Sequence, residues 1–270
     1  VDSAERLIST KNGKVGQASS AETLGLGVRV VAAGAWGFAA TDQMSREGVQ
    51  AAATRAVKIA RASAVVQKRQ AALAPEGKHE AVWVSPVKID PFSVSVERVL
   101  ELLLAIDAEL RRVPGVTLAE AAITCRRLRQ FFANSEGSRI DQTRYYTGAG
   151  YAAHSYSGNE IQKRSYPNSF GGQHMLKGYE LVEELRLLEN APRVAEEAVA
   201  LHKADQCPEG VFDLVLDSSQ LGLQIHESIG HPLELDRVLG MEEAYAGSSF
   251  VRPEDRGTLR YGSPLISITA

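Results

Sequence analysis

The 270-residue chain carries two histidines and a glutamate within six consecutive residues, His226 to His231. The histidines lie five positions apart, and Glu227 directly follows the first of them. In a regular α-helix, residues five apart point about 140° away from each other, so their imidazoles cannot both reach one metal ion. If this pair binds a metal, the backbone here must depart from a regular helix.

The residues beside the histidines offer a source of distortion. Gly230 permits backbone angles that other residues avoid, and Pro232 disfavours α geometry at the residue before it. We therefore predict a π-type turn, or a helix that ends at His231, which would bring the two rings together. The alternative is that two of the six histidines lie close in sequence by chance.

The residue types predict a particular chemistry. Imidazole nitrogens are good zinc ligands, and a carboxylate beside a ligand can accept a proton from a metal-bound water. This combination is the minimum needed to hydrolyse an amide bond. Zinc is favoured over manganese or iron by ligand type.

The sequence around the motif extends the pattern. Residues 224–237 read QIHESIGHPLELDR, which resembles the signature of the TldD/PmbA family, also called modulators of DNA gyrase. Active members of that family carry His-Glu-x-x-x-His followed by a Leu-Glu-x-Asp segment. Residues 25–31 and 34–42 look like the family's N-terminal hairpin, and residues 135–137 look like its central turn. The resemblance covers most of the chain, from about Gly25 to the last residue.

This resemblance implies site residues and partners. The family's active subunit is a zinc metallopeptidase that acts on unfolded or flexible peptides, so His226 and His231 would bind zinc and Glu227 would be the general base. The active subunit often pairs with a homologous subunit that lacks the motif, which implies a homodimer or a heterodimer. The family's remaining protein ligand is a cysteine much further along, and neither Cys125 nor Cys207 fits its position. We expect the catalytic domain to be truncated here, and the chain as given to be inactive.

Composition indicates an ordinary globular protein. Hydrophobic residues make up 44% and charged residues 23% of the chain, both near globular averages. The net charge of −3 gives no reason to expect direct nucleic-acid binding. No apolar run approaches the ~20 residues of a membrane span, and no signal peptide opens the sequence. Two cysteines far apart fit a reducing compartment, so we expect a cytoplasmic protein without membrane contact.

The chain divides into three blocks and a connector. Residues 1–66 are predicted to be an N-terminal α/β subdomain, residues 67–92 a connector, and residues 93–205 a central α+β domain. Residues 206–270 are predicted to begin the metallopeptidase domain, which contains the motif helix. The predicted fold class is α+β, with mixed or antiparallel sheets packed against helices in several domains.

Several elements can be predicted inside the first two blocks. Residues 27–31 and 36–40 are strand-like, and a helix follows with Ser45 as its N-cap. Apolar residues at helical spacing predict an amphipathic helix over residues 99–110. Strands are predicted on both sides of a turn at residues 134–137.

The later elements are less regular. Residues 175–202 are predicted to be mostly helical, with an interruption at Pro192. Residues 211–216 form an apolar run that predicts a buried strand. The glycine-containing segment 158–174 has two interpretations: a mobile loop over a substrate groove, with Tyr166 or His174 touching peptide, or a surface loop with turn glycines.

Two acidic residues follow the motif. Glu234 and Asp236 could orient a ligand imidazole from behind, or they could be surface charges. Neither interpretation is excluded by the sequence.

Three functions are compatible with these patterns. The first is a zinc-dependent metallopeptidase that binds peptide as an added strand through main-chain hydrogen bonds. The second is a non-catalytic assembly or regulatory subunit of a TldD/PmbA-type complex, whose motif is vestigial or structural. The third, weaker one is a metal-dependent amidase acting on small molecules.

Overall fold

The computed structural model describes residues 1–67 and 70–269, which form two compact units, Val1–Asp205 and Gln206–Ala270. The described residues of the first unit contain nine strands: β1 Asp2–Lys11, β2 Lys14–Leu24, β3 Leu26–Ala32, β4 Ala35–Thr41, β5 Glu80–Val84, β6 Val116–Ala133, β7 Arg139–Ser157, β8 Glu160–Tyr166 and β9 Gln173–Met175. The same residues contain four α-helices: α1 Arg46–Ala64, α2 Val96–Arg112, α3 Glu180–Glu184 and α4 Leu187–Ala200. The α+β fold class is confirmed.

A seven-stranded sheet forms the centre of the first unit. Its main path runs β2–β1–β6–β7–β5, and β8 and β9 also pair with β7. All of these pairs are antiparallel except β5 with β7, which is parallel. Three short strands therefore share one long edge of β7, at residues 139–143, 147–149 and 151–157.

The core lies between this sheet and two helices. α2 and α4 pack on one face of the sheet, and the apolar stripes of both helices are buried there. The largest side chains in this core are almost completely inaccessible to solvent: Ile8, Leu103, Ile106, Leu110, Ile123 and Tyr151. The amphipathic helix predicted over residues 99–110 is confirmed and is longer at both ends.

The strands β3 and β4 form a separate two-stranded sheet that packs against α1. Ser45 is the N-cap of α1, and its Oγ accepts a hydrogen bond from the Gly48 N–H at 3.1 Å. The predicted hairpin and the predicted helix start are both confirmed. α1 passes so close to β4 that any side chain at Gly37 would collide with the backbone of Ala56 and Ala60.

The strands β1 and β2 were not predicted from the sequence. These strands join the same sheet as β6 and β7, so strand pairing crosses the domain boundary predicted at residue 66. The strands predicted around the turn at 134–137 are confirmed as β6 and β7.

The helical stretch predicted over residues 175–202 differs in its break point. Pro192 lies inside α4, whereas the chain turns at Arg186, which has a left-handed φ of 48°. A proline is tolerated in the first turn of a helix because the first four N–H groups have no partner within the helix. Pro192 lies about one turn beyond these positions, and α4 continues through it.

The second unit contains short helical segments: α5 Ser218–Ile225, α6 Leu235–Val238, and a 3-10 turn at Pro253–Asp255. The predicted buried strand at residues 211–216 is wrong. None of the described residues pairs with this segment, and Val211 and Val215 are fully exposed. A strand needs a hydrogen-bonded neighbour, which an apolar run alone does not guarantee.

None of the helices in the described part of the chain is long and apolar enough to cross a bilayer.

Candidate metal centre

The motif follows directly from α5. The Asp217 carboxylate caps this helix by accepting a hydrogen bond from the Ser219 N–H at 3.0 Å. Beyond Ile225 the helix widens into a π-helical turn over His226–Gly230, which is followed by a 3-10 turn over His231–Leu233. The His231 N–H bonds to the His226 carbonyl, five residues back. The predicted π-type turn is therefore present.

The cause of the wide turn differs from the one predicted. Gly230 has φ −57° and ψ −63°, and His231 has φ −62° and ψ −45°, so both keep ordinary helical angles. Pro232 has no N–H and cannot bond to the carbonyl four residues back. The Ser228 carbonyl, which residue 232 would engage in an α-helix, accepts a hydrogen bond from the Tyr261 hydroxyl.

The wide turn brings the three motif side chains together. The ring centroids of His226 and His231 lie 4.3 Å apart at an interplanar angle of 70°. The Glu227 carboxylate lies near both rings, with 3.7 Å from Oε1 to His226 Nε2 and 4.0 Å from Oε2 to His231 Nε2. One ligand atom from each residue can be chosen so that all three lie within 4.8 Å of one another.

This donor set fits a divalent zinc ion. Two neutral imidazoles and a carboxylate are ligands that zinc accepts, and a zinc site with open positions can bind water or substrate. The side chains of His226 and Glu227 are more than half exposed, whereas that of His231 is 30% exposed. The group is therefore accessible from solvent.

A second carboxylate lies behind His231. His231 Nδ1 is 2.8 Å from Glu234 Oε1, and the other oxygen of this carboxylate, Oε2, is 2.5 Å from Arg237 Nε. The hydrogen bond with His231, reinforced by the charge of Arg237, lowers the pKa of Glu234 despite some opposing desolvation. Asp236 does not reach either histidine; its carboxylate accepts from the Arg237 backbone N–H at 2.9 Å. Of the two acidic residues considered from sequence, only Glu234 contacts a motif histidine.

Sequence reasoning missed Tyr261. This residue stacks on Phe250, with ring centroids 5.4 Å apart, and its hydroxyl bonds to the Ser228 carbonyl in the wide turn. No periodicity or motif connects residue 261 with residue 228. The only available signal was Pro232, which predicts that one carbonyl needs a partner from outside the helix.

The segment 158–174 is mostly not a loop. Residues 160–166 form β8, and the Tyr166 hydroxyl donates to the Leu185 carbonyl at 2.9 Å. The Tyr166 ring packs on Tyr151, so Tyr166 has a structural role. His174 lies in β9 beside Gly148, in a cleft that is also lined by Thr124 and Tyr146.

The two cysteines have different environments. Cys125 is buried in the core of the first unit, and its burial raises the pKa of the thiol to about 11. A thiol in this environment is a poor metal ligand because the thiolate is the binding form. Cys207 is exposed in the second unit.

Two family models match the sequence. The model described as PmbA/TldA metallopeptidase domain 1 matches residues 1–60, and the model described as PmbA/TldA metallopeptidase central domain matches residues 89–204. Together they cover more than half of the chain. The wide turn at residues 226–231 lies outside both matched regions.

Two relatives carry the name metalloprotease. Metalloprotease MJ0996 of Methanocaldococcus jannaschii is 26% identical over 263 residues, which are 93% of this chain and 56% of the relative. A metalloprotease of Methanothermobacter thermautotrophicus is 30% identical over 257 residues, which are 95% of this chain and 54% of the relative. The chain thus spans about half the length of each.

Two solved structures share the fold. A proposed modulator of DNA gyrase from Bacteroides thetaiotaomicron has a TM-score of 0.64 at 10% identity, covering 88% of this chain and 53% of that one. A protein of the same description from Thermotoga maritima has a TM-score of 0.54 at 15% identity, covering 77% and 45%. At these identities the likeness concerns the fold alone.

Proposed function

Because the chain belongs to the PmbA/TldD family of metallopeptidases, we propose that it contributes the zinc site and general base of a peptidase. His226 and His231 hold the metal, and Glu227 is the base. The observation that carries this proposal is the π-helical turn, which sets the two imidazoles 4.3 Å apart, with the Glu227 carboxylate within 4.0 Å of an Nε2 atom of each ring. A regular helix would direct the same residues apart.

The residues have separable roles in hydrolysis. A zinc ion at this site would lower the pKa of a bound water and polarise the scissile carbonyl. Glu227 accepts the proton from the attacking water and then delivers it to the leaving amine. Its two oxygens lie within 4.0 Å of the Nε2 atoms of the histidines, so it adjoins the metal position without leaving the turn.

The proposed substrate is an unfolded or flexible peptide. The exposed position of the motif side chains admits an extended chain more readily than a closed pocket would. Relatives of this chain carry the name metalloprotease, which supports peptide over a small-molecule amide. We propose that the protein acts in the cytoplasm, alone or with a homologous subunit that lacks the motif.

Glu227 could instead be a third metal ligand, and one substitution separates the two roles. The variant Glu227→Gln is made in the full-length protein. We expect it to keep its zinc, while its turnover rate falls by about 100-fold or more, which is the usual contribution of a general base. Cleavage of an unfolded polypeptide is followed by mass spectrometry, and bound zinc is measured in parallel. Glu243→Gln, which removes an exposed carboxylate of the same unit, is the matched control.

Three other outcomes would contradict the proposal. Near-normal cleavage by Glu227→Gln would remove the general base. Loss of zinc together with activity in that variant would make Glu227 a ligand. No cleavage by the unaltered protein, alone or with a motif-less homologue, would favour the non-catalytic assembly subunit.

A further inference from the structure

The two motif histidines differ in what lies behind their rings. His231 Nδ1 is 2.8 Å from Glu234 Oε1. None of the described residues makes a hydrogen bond to the ring of His226, whose Nδ1 faces the open side of Gly230. One imidazole is thus supported from behind, and the other is not.

The local backbone creates this support. The 3-10 turn His231–Leu233 is followed by Glu234 in an extended conformation, with φ −60° and ψ 118°, and α6 then begins at Leu235. His231, Glu234 and Arg237 are each three residues apart, and the ion pairs join neighbouring members of this series. No residue from a distant part of the chain is required.

Arg237 holds the second oxygen of the carboxylate. Its Nε lies 2.5 Å from Glu234 Oε2, and its side chain is 21% exposed. The Nε–H is not aligned for a regular hydrogen bond, so the contact acts as an ion pair. It restrains the carboxylate while Oε1 remains available to the imidazole.

A carboxylate has only acceptor atoms, whereas a neutral imidazole has one donor and one acceptor nitrogen. An imidazole nitrogen that contacts Glu234 Oε1 must therefore carry the hydrogen. The other nitrogen, Nε2, then keeps its lone pair, and in this structure it is the nitrogen that faces Glu227. Hydrogen bonds behind metal-bound histidines commonly set the tautomer and strengthen binding in this manner.

We propose that Glu234, restrained by Arg237, is a positioning residue that fixes His231 in the tautomer protonated at Nδ1 and thereby presents Nε2 to the metal. His226 has no such support and adjusts its ring when the metal binds. This proposal rests on the proposed zinc site and distinguishes its two histidines. His231 is the preorganised ligand, and His226 is the adaptable one.

The first test uses the metal-free protein and therefore does not depend on activity. Nitrogen-15 NMR at mildly alkaline pH, where imidazole is neutral, reports the tautomer of each histidine. We expect one tautomer for His231, with the hydrogen on Nδ1, and a mixture for His226. A mixture at His231, or a hydrogen on its Nε2, would overturn the proposal even if the protein is a peptidase.

The second test measures zinc affinity by competition with a chelator. We expect Glu234→Ala to weaken binding by about 10- to 100-fold, the usual effect of removing such a partner. Glu234→Gln keeps an acceptor oxygen, so its zinc affinity should be higher than that of Glu234→Ala. The zinc affinity of Arg237→Met should lie between those of Glu234→Gln and the unaltered protein. Asp236→Asn removes a neighbouring charge that does not touch His231 and should stay within about twofold.

The two tests separate failure of this proposal from failure of the proposed function. Zinc binding that is unchanged in Glu234→Ala would refute the positioning role and leave the peptidase intact. A protein that cuts no peptide, but whose His231 tautomer and zinc affinity change with Glu234 as expected, would keep the positioning role in a non-catalytic metal site. Circular dichroism of each variant checks that the helices persist.

Discussion

The two units of the chain are stabilised in different ways. In Val1–Asp205, the sheet and two helices bury a core in which Leu103, Ile106 and Leu110 have no accessible surface. In the described part of Gln206–Ala270 no residue is classed as buried, and apolar side chains such as Met241 and Leu265 are mostly exposed. The second unit nevertheless contains the wide turn that brings His226, Glu227 and His231 together.

This difference separates two sources of structural precision. Burial of apolar surface stabilises the sheet unit through many contacts that are spread over the sequence. The motif turn has an N-cap at Asp217, ion pairs three residues apart, and one hydrogen bond from the more distant Tyr261 to the Ser228 carbonyl. None of these contacts belongs to the core of the sheet unit, so the energetics of the site should be insensitive to substitutions in that core.

Truncating one leucine in each unit should give the largest difference in stability between them. Leu103 is fully buried under the sheet, whereas Leu239 is 44% exposed. We expect Leu103→Ala to lower the free energy of unfolding by about 2–5 kcal/mol, because it leaves a cavity. Leu239→Ala should change it by no more than about 0.5 kcal/mol. Urea unfolding followed by circular dichroism measures both, and equal losses would show that the second unit has a core of its own.

A smaller loss of stability is expected from adding a side chain where β4 and α1 are in close contact. A Cβ at Gly37 would collide with the Ala56 carbonyl and the Ala60 backbone, neither of which can move without shifting α1. We expect Gly37→Ala to destabilise the protein by about 1–3 kcal/mol. Thermal unfolding of this variant, beside Gly77→Ala as a glycine variant whose Cβ would approach no atom closer than 3.9 Å, tests the claim. Equal melting temperatures for the two variants would contradict it.

Gly230→Ala tests the local origin of the motif turn. Gly230 has ordinary helical angles, and a Cβ there would approach His226 Nδ1 no closer than 4.0 Å. We expect zinc affinity to remain within about twofold, and stability to rise by about 0.4–1 kcal/mol because alanine restricts the unfolded chain. A large loss of affinity would mean that the site needs the flexibility of glycine after all.

The smallest effect concerns pH and the sheet unit. Burial lowers the pKa of His154, although the nearby Glu120 partly opposes this shift. The unfolded chain therefore takes up a proton on His154 before the folded protein does, and stability falls as the pH drops below the usual imidazole range. We expect His154→Gln to flatten this dependence, because the variant has no imidazole to protonate on unfolding. Unfolding free energies measured between pH 5 and 8 test the sign, and a steeper dependence in the variant would reverse the assignment.

Local chemistry made part of the fold predictable from sequence. The serine cap of α1, the turn between β6 and β7 and the i to i+5 hydrogen bond of the wide turn all join residues within a few positions of one another. The wide turn was predicted on the assumption that both histidines bind one metal ion, and it is present although Gly230 and His231 keep helical angles.

The remainder depended on partners that are distant in sequence. β2 is exposed along its whole length, so it has no apolar face that would reveal a strand. The apolar run at 211–216 has such a pattern but pairs with no described residue. Tyr261 reaches Ser228 across 33 positions. In each case the local sequence does not show whether a distant segment supplies a partner, and that partner decides the structure.

The pairing of β1 with β6 has a consequence for biosynthesis. Ile8 lies opposite Ile123, so the first strand of the chain must find a neighbour made more than a hundred residues later. At ribosomal speeds of about 5–20 residues per second, this delay lasts on the order of ten seconds. During that time β1 is paired with β2 on one side only, because β6, its neighbour on the other side, has not yet been made. Nascent chains should therefore expose an open strand edge that a chaperone could shield, until β6 emerges and closes the sheet.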